Sequence, residues 1–209
     1  MRTGSLFAVL LLPAVLQGQA RQIMPRAYCH TFSQAHPALQ NIRPGERIAT
    51  RTIDAGGQDE RGNWVSHSPN PETGPFYIED ARPGDALAVR ILKLRMNRNF
   101  GWSSYRLLLN AMPPEQVAEI YSDHYKQDLV RKGRDNLIPW DIDLISGMLR
   151  LREPFSARVK MQYPARPMLG CIGVAAAGQF APTTSMSGPY GGNLDFNEIR
   201  EGVTVLLPV

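Results

Sequence analysis

Two stretches of this chain are one device written twice. Arg43-Pro44-Gly45-Glu46-Arg47-Ile48 recurs 39 residues on as Arg82-Pro83-Gly84-Asp85-Ala86-Leu87. Proline presets φ at the first central position of a tight turn, and glycine accepts the positive φ that a type II turn needs at the second. An acidic residue follows, and then an extended run. Glu201-Gly202 leading into Val203-Thr204-Val205-Leu206-Leu207 is a weaker version. A chain that repeatedly turns and then extends builds sheets rather than helix bundles. The 18 Gly and 17 Pro in 209 residues spread that punctuation over the whole length. We read the echo as a common turn-into-strand device, not as a true repeat.

Periodicity fills in the elements. Leu87, Val89 and Ile91 alternate with Ala88 and Arg90, and the phase then flips to Leu92, Leu94 and Met96 against Lys93 and Arg95. That pattern predicts a long strand with a bulge near Ile91, and Lys93, Arg95 and Arg98 read as its solvated face. Leu149 and Leu151 alternate with Arg150 and Arg152, a short strand that Pro154 ends. Pro113 and Pro114 can open a helix, in which Val117, Ile120, Tyr121 and Tyr125 recur at helical spacing toward Gly133. Residues 140–143 read as irregular chain after Pro139, and 177–193 as a long Gly, Pro, Ser and Thr-rich loop. The fold class is mainly β with one or two short helices, and no clean linker divides it.

The first 20 residues stand apart. Arg2, the apolar run from Leu6 to Leu16 and the small residues Gly18 and Ala20 have the layout of a cleavable export signal. The run is too short to span a bilayer core of about 30 Å. This reading makes residues 21–209 the folded domain and places it in the periplasm or outside the cell, without a membrane anchor after cleavage. The formal net charge of +4 falls to +3 without Arg2, and charges of both signs are interspersed. That balance argues against a nucleic-acid binder and against a disordered tail. An exported chain can form disulfides, so Cys29 and Cys171 are able to pair. Cys171 lies in an apolar run, however, and two free buried thiols are the preferred reading.

Familiar catalytic signatures are missing: no Gly-x-Ser-x-Gly elbow, no Walker loop, no His-Glu-x-x-His and no clustered cysteines. Ser185 and Ser187 sit in a Gly/Ser-rich block, but no lysine accompanies them. Polar loops remain. In Thr52-Ile53-Asp54-Ala55-Gly56-Gly57 a strand delivers a carboxylate into a glycine turn, where it can bind a metal, act as a base or simply close a hairpin. In Ser187-Gly188-Pro189-Tyr190-Gly191-Gly192-Asn193-Leu194-Asp195 the paired glycines permit close backbone approach to a ligand. Asp195 and Glu198 also have the spacing of a helix-capping box. His30, His36, His67 and His124 show no metal-ligand spacing among themselves, so each reads as an ordinary solvated or structural histidine.

Taken in order, five stretches resemble the acetamidase/formamidase family. They are Arg43-Pro44-Gly45-Glu46 through Asp54-Ala55; Asn70-Pro71-Glu72-Thr73-Gly74-Pro75-Phe76-Tyr77-Ile78-Glu79; Arg82-Pro83-Gly84-Asp85; Pro167-Met168-Leu169-Gly170-Cys171-Ile172-Gly173-Val174; and Gly191-Gly192-Asn193-Leu194-Asp195, leading to Leu207-Pro208-Val209. The resemblance implies a β-sandwich or barrel-like fold, a homo-oligomer, and hydrolysis of a small formamide- or acetamide-type substrate to carboxylate and ammonia. It also implies a divalent metal, zinc or calcium, with His30, Asp54 and Asp195 as candidate ligands. Asp54 and Asp195 are then candidate catalytic carboxylates, and Asn193 a candidate oxyanion donor. Asn70 and Tyr190 stand where the family commonly has histidine. The family also continues past the Leu-Pro-Val strand into glycine- and acid-rich segments, so a C-terminally truncated member is expected. A rival reading is a non-catalytic secreted β module that holds a small ligand or carbohydrate with the same loops.

Overall fold

The computed structural model describes residues 19–104, 113, 115, 137–154, 156–158 and 160–209. The expected export signal, apart from its last two residues, and the helix expected over 113–133, apart from residues 113 and 115, lie outside the described residues. Within them the chain is mainly β, built from fifteen strands of at most seven residues.

The repeated turn forms at both places by local chemistry. Glu46 N–H donates to the Arg43 carbonyl at 3.0 Å, and Arg43 N–H returns a bond to Glu46 Oε2 at 3.0 Å. Asp85 and Arg82 do the same at 3.0 and 2.8 Å. The acidic residue therefore closes each turn from both sides, and Gly45 and Gly84 take φ of +80° and +98°. The first turn feeds β4 (Ile48–Ala49), which runs parallel to β1 (Arg21–Gln22). Nearby, β3 (Gln40–Ile42) runs parallel to β6 (Phe76–Ile78). The second turn feeds β7 (Ala86–Arg90), antiparallel to β15 (Thr204–Pro208).

The long bulged strand stops early. β7 ends at Arg90 because its neighbour runs out: Gly202 N–H donates to the Ile91 carbonyl, and Ile91 N–H reaches Val203 within a turn. The phase flip survives without a ladder only at Leu94 and Met96, which are half-buried while Lys93 and Arg95 are exposed; Leu92 is exposed as well. Arg95 ion-pairs with Glu201, whose carboxylate also takes the Leu94 N–H. Arg98 is not on a solvated face, because it pairs with Asp54 at 3.1 Å and both are largely buried.

A four-stranded antiparallel sheet orders β11 (Gln162–Pro164), β10 (Met148–Leu151), β9 (Leu137–Asp143) and β8 (Phe100–Ser104). The short strand at 148–151 forms as read. Residues 140–143 are strand, not irregular chain. Pro139 misled the reading, since it sits in a central strand opposite Trp102. Its carbonyl accepts from Arg152 N–H on the far side, at the end of β10. A strand residue aims its N–H and C=O the same way, so the missing N–H costs β8 no ladder bond.

A three-stranded sheet orders β12 (Cys171–Gly173), β14 (Gly191–Asn193) and β13 (Ser187–Gly188). The stretch read as loop thus ends in a tight hairpin. The capping box does not form: Asp195 has φ of +46°, its N–H bonds the Gly170 carbonyl, and turns follow instead of a helix. A buried cluster of Phe32, Ala176 and Tyr190 lies against this sheet, with Cys171 and Val174 packed on it. The paired glycines serve the fold itself. A Cβ on Gly191 would overlap the Ile172 carbonyl, and one on Gly192 the Met186 carbonyl. Gly202 has a similar positive φ but open space around it.

Gly202→Ala should therefore cost only the left-handed backbone penalty, about 1–2 kcal/mol. Gly192→Ala adds a backbone collision and should cost more than about 3 kcal/mol. Urea denaturation of the two variants checks the difference. Equal losses would show that the close approach at Gly192 is not tight.

Candidate functional site

The site grows from one antiparallel pair, β2 (Tyr28–Cys29) against β5 (Glu72–Thr73). His30 follows β2 directly. The loop before β5 carries Ser66, His67 and Asn70, and it is held from beneath by the Asp54 turn. Val65 N–H donates to the Gly57 carbonyl at 3.0 Å, and Asn70 N–H to the Ala55 carbonyl at 2.8 Å. Asp54 shapes that turn: its Oδ1 accepts from Gly56 N–H and Gln58 N–H at 2.9 and 2.8 Å. Its Oδ2 takes the Arg98 guanidinium. No strand precedes it at 50–53.

The imidazole of His30 is held at both ends. Nδ1 lies 3.2 Å from the Pro69 carbonyl, and Nε2 lies 3.1 Å from Ser66 Oγ. The His67 ring stacks on it with centroids 3.6 Å apart and planes 13° apart. The His67 Nδ1 lies 3.1 Å from the Ser68 carbonyl. Behind His30 stands Thr184, whose N–H donates to the His30 carbonyl at 3.0 Å. The Thr184 carbonyl accepts from Cys171 Sγ at 3.5 Å and from Asn70 Nδ2 at 3.4 Å.

Beyond Thr184 the surroundings become a thiol and carboxyl cluster. Cys171 pairs in register with Asn193. Its thiol donates to the Thr184 carbonyl, and Glu72 and Asp195 act on it electrostatically. Burial pushes the Cys171 thiol strongly up, and the negative charge of Glu72 adds to the effect. Burial raises the Glu72 carboxyl too, partly offset by the neighbouring Cys171 thiol. Cys29, opposite Glu72 across the strand pair, is raised by burial and then by Glu72. Both cysteines are free thiols, as preferred from the sequence.

The chain thus brings His30 to Ser66 and His67, and brings Asn193 and Asp195 to Cys171. Asp54 stays under the loop with Arg98. Among the described residues no three His, Cys, Asp or Glu side chains converge as a metal-ligand set. Both ring nitrogens of His30 and both oxygens of Asp54 already hold hydrogen-bond or ion-pair partners. The donors present therefore do not fit a divalent ion shared by His30, Asp54 and Asp195. Sequence reasoning missed Ser66, read His67 as an ordinary histidine and gave Glu72 no role of its own. Their partners are distant in the chain. Tyr190 is a buried packing residue 5.4 Å from the Phe32 ring.

The raised Glu72 carboxyl carries a pH signature. The folded chain holds that proton more tightly than the unfolded chain does. The stability it contributes is full below the unfolded carboxyl range and is lost as pH rises through the folded value. Glu72→Gln keeps the size and polarity of the side chain without the charge. It should be more stable than the parent at pH 8, with the gap narrowing at pH 4. Urea midpoints at the two pH values check this, and a gap that widens in acid would contradict it.

Neither a protein-family model nor a curated protein sequence matches the chain. Solved structures do. An acetamidase from Bacillus halodurans superposes with a TM-score of 0.63 at 23% identity, over 90% of this chain and 57% of its own. A predicted acetamidase/formamidase from Thermoanaerobacter tengcongensis gives 0.63 at 22%, over 91% and 56%. An acetamidase from Yersinia enterocolitica gives 0.63 at 19%, over 92% and 57%. The chain spans a little over half the length of these structures and shares their mainly β fold across nine-tenths of its own.

Proposed function

We propose that the chain is a hydrolase of short-chain linear amides of the formamide or acetamide type, releasing a carboxylate and ammonia. The observation that carries this reading is the shared fold with two acetamidases and an acetamidase/formamidase, extending over 90% or more of the chain. The pinned His30 lies in the cluster that this fold builds, and it supports the same reading.

Amide hydrolysis has two requirements. An amide nitrogen is a poor leaving group until it is protonated, and the carbonyl carbon is a poor electrophile until charge on its oxygen is stabilised. An imidazole that takes a proton at one step and returns it at the next meets the first requirement. His30 is that group: its Nδ1 edge is anchored, and its Nε2 edge faces a hydroxyl. Asp54 is spent on its own turn and on Arg98, so its role is to hold the loop that carries Ser66. Asn193, beside Cys171 in the sheet, remains the candidate donor to the carbonyl oxygen. A divalent ion shared by His30, Asp54 and Asp195 does not fit this arrangement, because His30 and Asp54 already hold other partners.

The purified chain should release ammonia from formamide or acetamide, read by a coupled ammonia assay. His30→Gln should lower kcat/KM by about 10²–10⁴-fold, the range for loss of a general acid–base group. A folded chain that binds acetamide without turning it over would overturn the enzyme reading in favour of a binding module.

A further inference from the structure

We propose that Ser66 and His30 form a nucleophile–base pair, and that hydrolysis proceeds through an acyl ester on Ser66 Oγ. This rests on the amide-hydrolase reading for its substrate, though not for its geometry.

The hydrogen-bond directions follow from elementary chemistry. The Pro69 carbonyl has only lone pairs, so a bond to it from His30 Nδ1 at 3.2 Å requires the proton on Nδ1. In the neutral ring Nε2 is then a bare lone pair. Ser66 Oγ, 3.1 Å away, must donate its proton to that lone pair. The hydroxyl proton is thus already aimed at a base whose far edge is tied to an acceptor. That is the arrangement by which a base-activated serine is recognised: nucleophile to base, base to orienting group. Here a backbone carbonyl orients the ring where a carboxylate often does.

Three further contacts remove the freedom that a merely incidental serine–histidine contact would keep. His67 covers one face of the His30 ring at 3.6 Å. Thr184 N–H fixes the His30 carbonyl at 3.0 Å. Ser66 N–H and Val65 N–H both donate to the Gly57 carbonyl, at 3.3 and 3.0 Å, which sets the height of the serine. Both reacting residues are half-buried, so one side stays open to a small molecule.

The chemistry balances. Ser66 Oγ attacks the amide carbonyl carbon while its proton moves to His30 Nε2. The tetrahedral adduct collapses, the C–N bond breaks, and His30 gives that proton to the departing nitrogen, which leaves as ammonia. Water then attacks the Ser66 ester and passes a proton to His30 Nε2. The C–Oγ bond breaks, Oγ takes the proton back, and the carboxylic acid leaves. One amide and one water give one acid and one ammonia.

The test uses a short alkyl fluorophosphonate, which labels a base-activated serine irrespective of the natural substrate, with the adduct located by peptide mass mapping. The expected result is one adduct on Ser66 of the parent chain, none in Ser66→Ala, and labelling at least about 100-fold slower in His30→Gln. p-Nitrophenyl acetate should give a burst of one nitrophenolate per chain. No adduct, or an adduct on another residue, overturns the pair. Ammonia release at the parent rate by Ser66→Ala overturns it while leaving the amide-hydrolase reading intact. Labelling of Ser66 without ammonia release from any short amide upholds the pair and removes that reading. If Ser66→Ala does not fold, the adduct position in the parent chain decides alone.

Discussion

Thr184 is the residue through which the site is tied together. It is 1% exposed, and its backbone makes a bond in each direction across the sheet boundaries. Its N–H holds the His30 carbonyl, and its carbonyl takes the Cys171 thiol and the Asn70 amide. Each such bond contributes about 1 kcal/mol net, but a buried group left without its partner costs about 1–3 kcal/mol. The neighbouring bridge between Thr31 and Thr183, with Phe32 N–H on the Pro182 carbonyl, extends the clamp by a residue on each side. His30 therefore cannot shift without also disturbing the packing of Phe32 on Tyr190. The imidazole is held by the core of the protein rather than by its own loop.

The parts of this fold that could be read in advance are those whose chemistry is contiguous. Proline, glycine and acid stand side by side at 44–46 and 83–85, and the turns they encode close on themselves. The alternation at 87–91 likewise reports a half-buried strand without reference to its partner. What was hidden is non-local. Ser66 meets His30 across 36 residues of separation, and neither has a neighbour that announces the other. Arg98 looked like one more cation on a solvated face, because Asp54, which neutralises it, lies 44 residues earlier in the chain. Pro139 is the opposite case. A strong local signal against a strand was overridden because its missing donor points past the end of β10.

The two sides of Thr184 handle polarity differently. On one side uncharged hydrogen bonds predominate: an imidazole between a carbonyl and a hydroxyl, with a second imidazole stacked on it. On the other, burial holds the Cys171 thiol and the Glu72 carboxyl toward their protonated forms. Unpaired buried charge is expensive, and neutralising it is the cheaper solution. Beneath the loop the solution is different again, with Asp54 and Arg98 paired and the remaining carboxylate oxygen saturated by two backbone amides. A buried ion pair survives where such extra bonds satisfy its lone pairs. The result is a buried ion pair under the loop, with Asp54 tied to both Arg98 and the turn.

That division bears on the two positions where the family resemblance implies histidine. Tyr190 packs its ring at 5.4 Å from Phe32 in the buried cluster, and Gly173 and Gly188 are both too close to these rings to carry a Cβ. An imidazole there would leave part of that apolar volume unfilled. Asn70 takes φ of +45°, a conformation that asparagine tolerates better than most residues, and spends its amide on the Thr184 carbonyl. Tyr190 is thus packing, and Asn70 is a brace. The imidazoles at this cluster are His30 and His67. Of these, His30 is the one with a hydroxyl on its free edge and the core of the protein behind it.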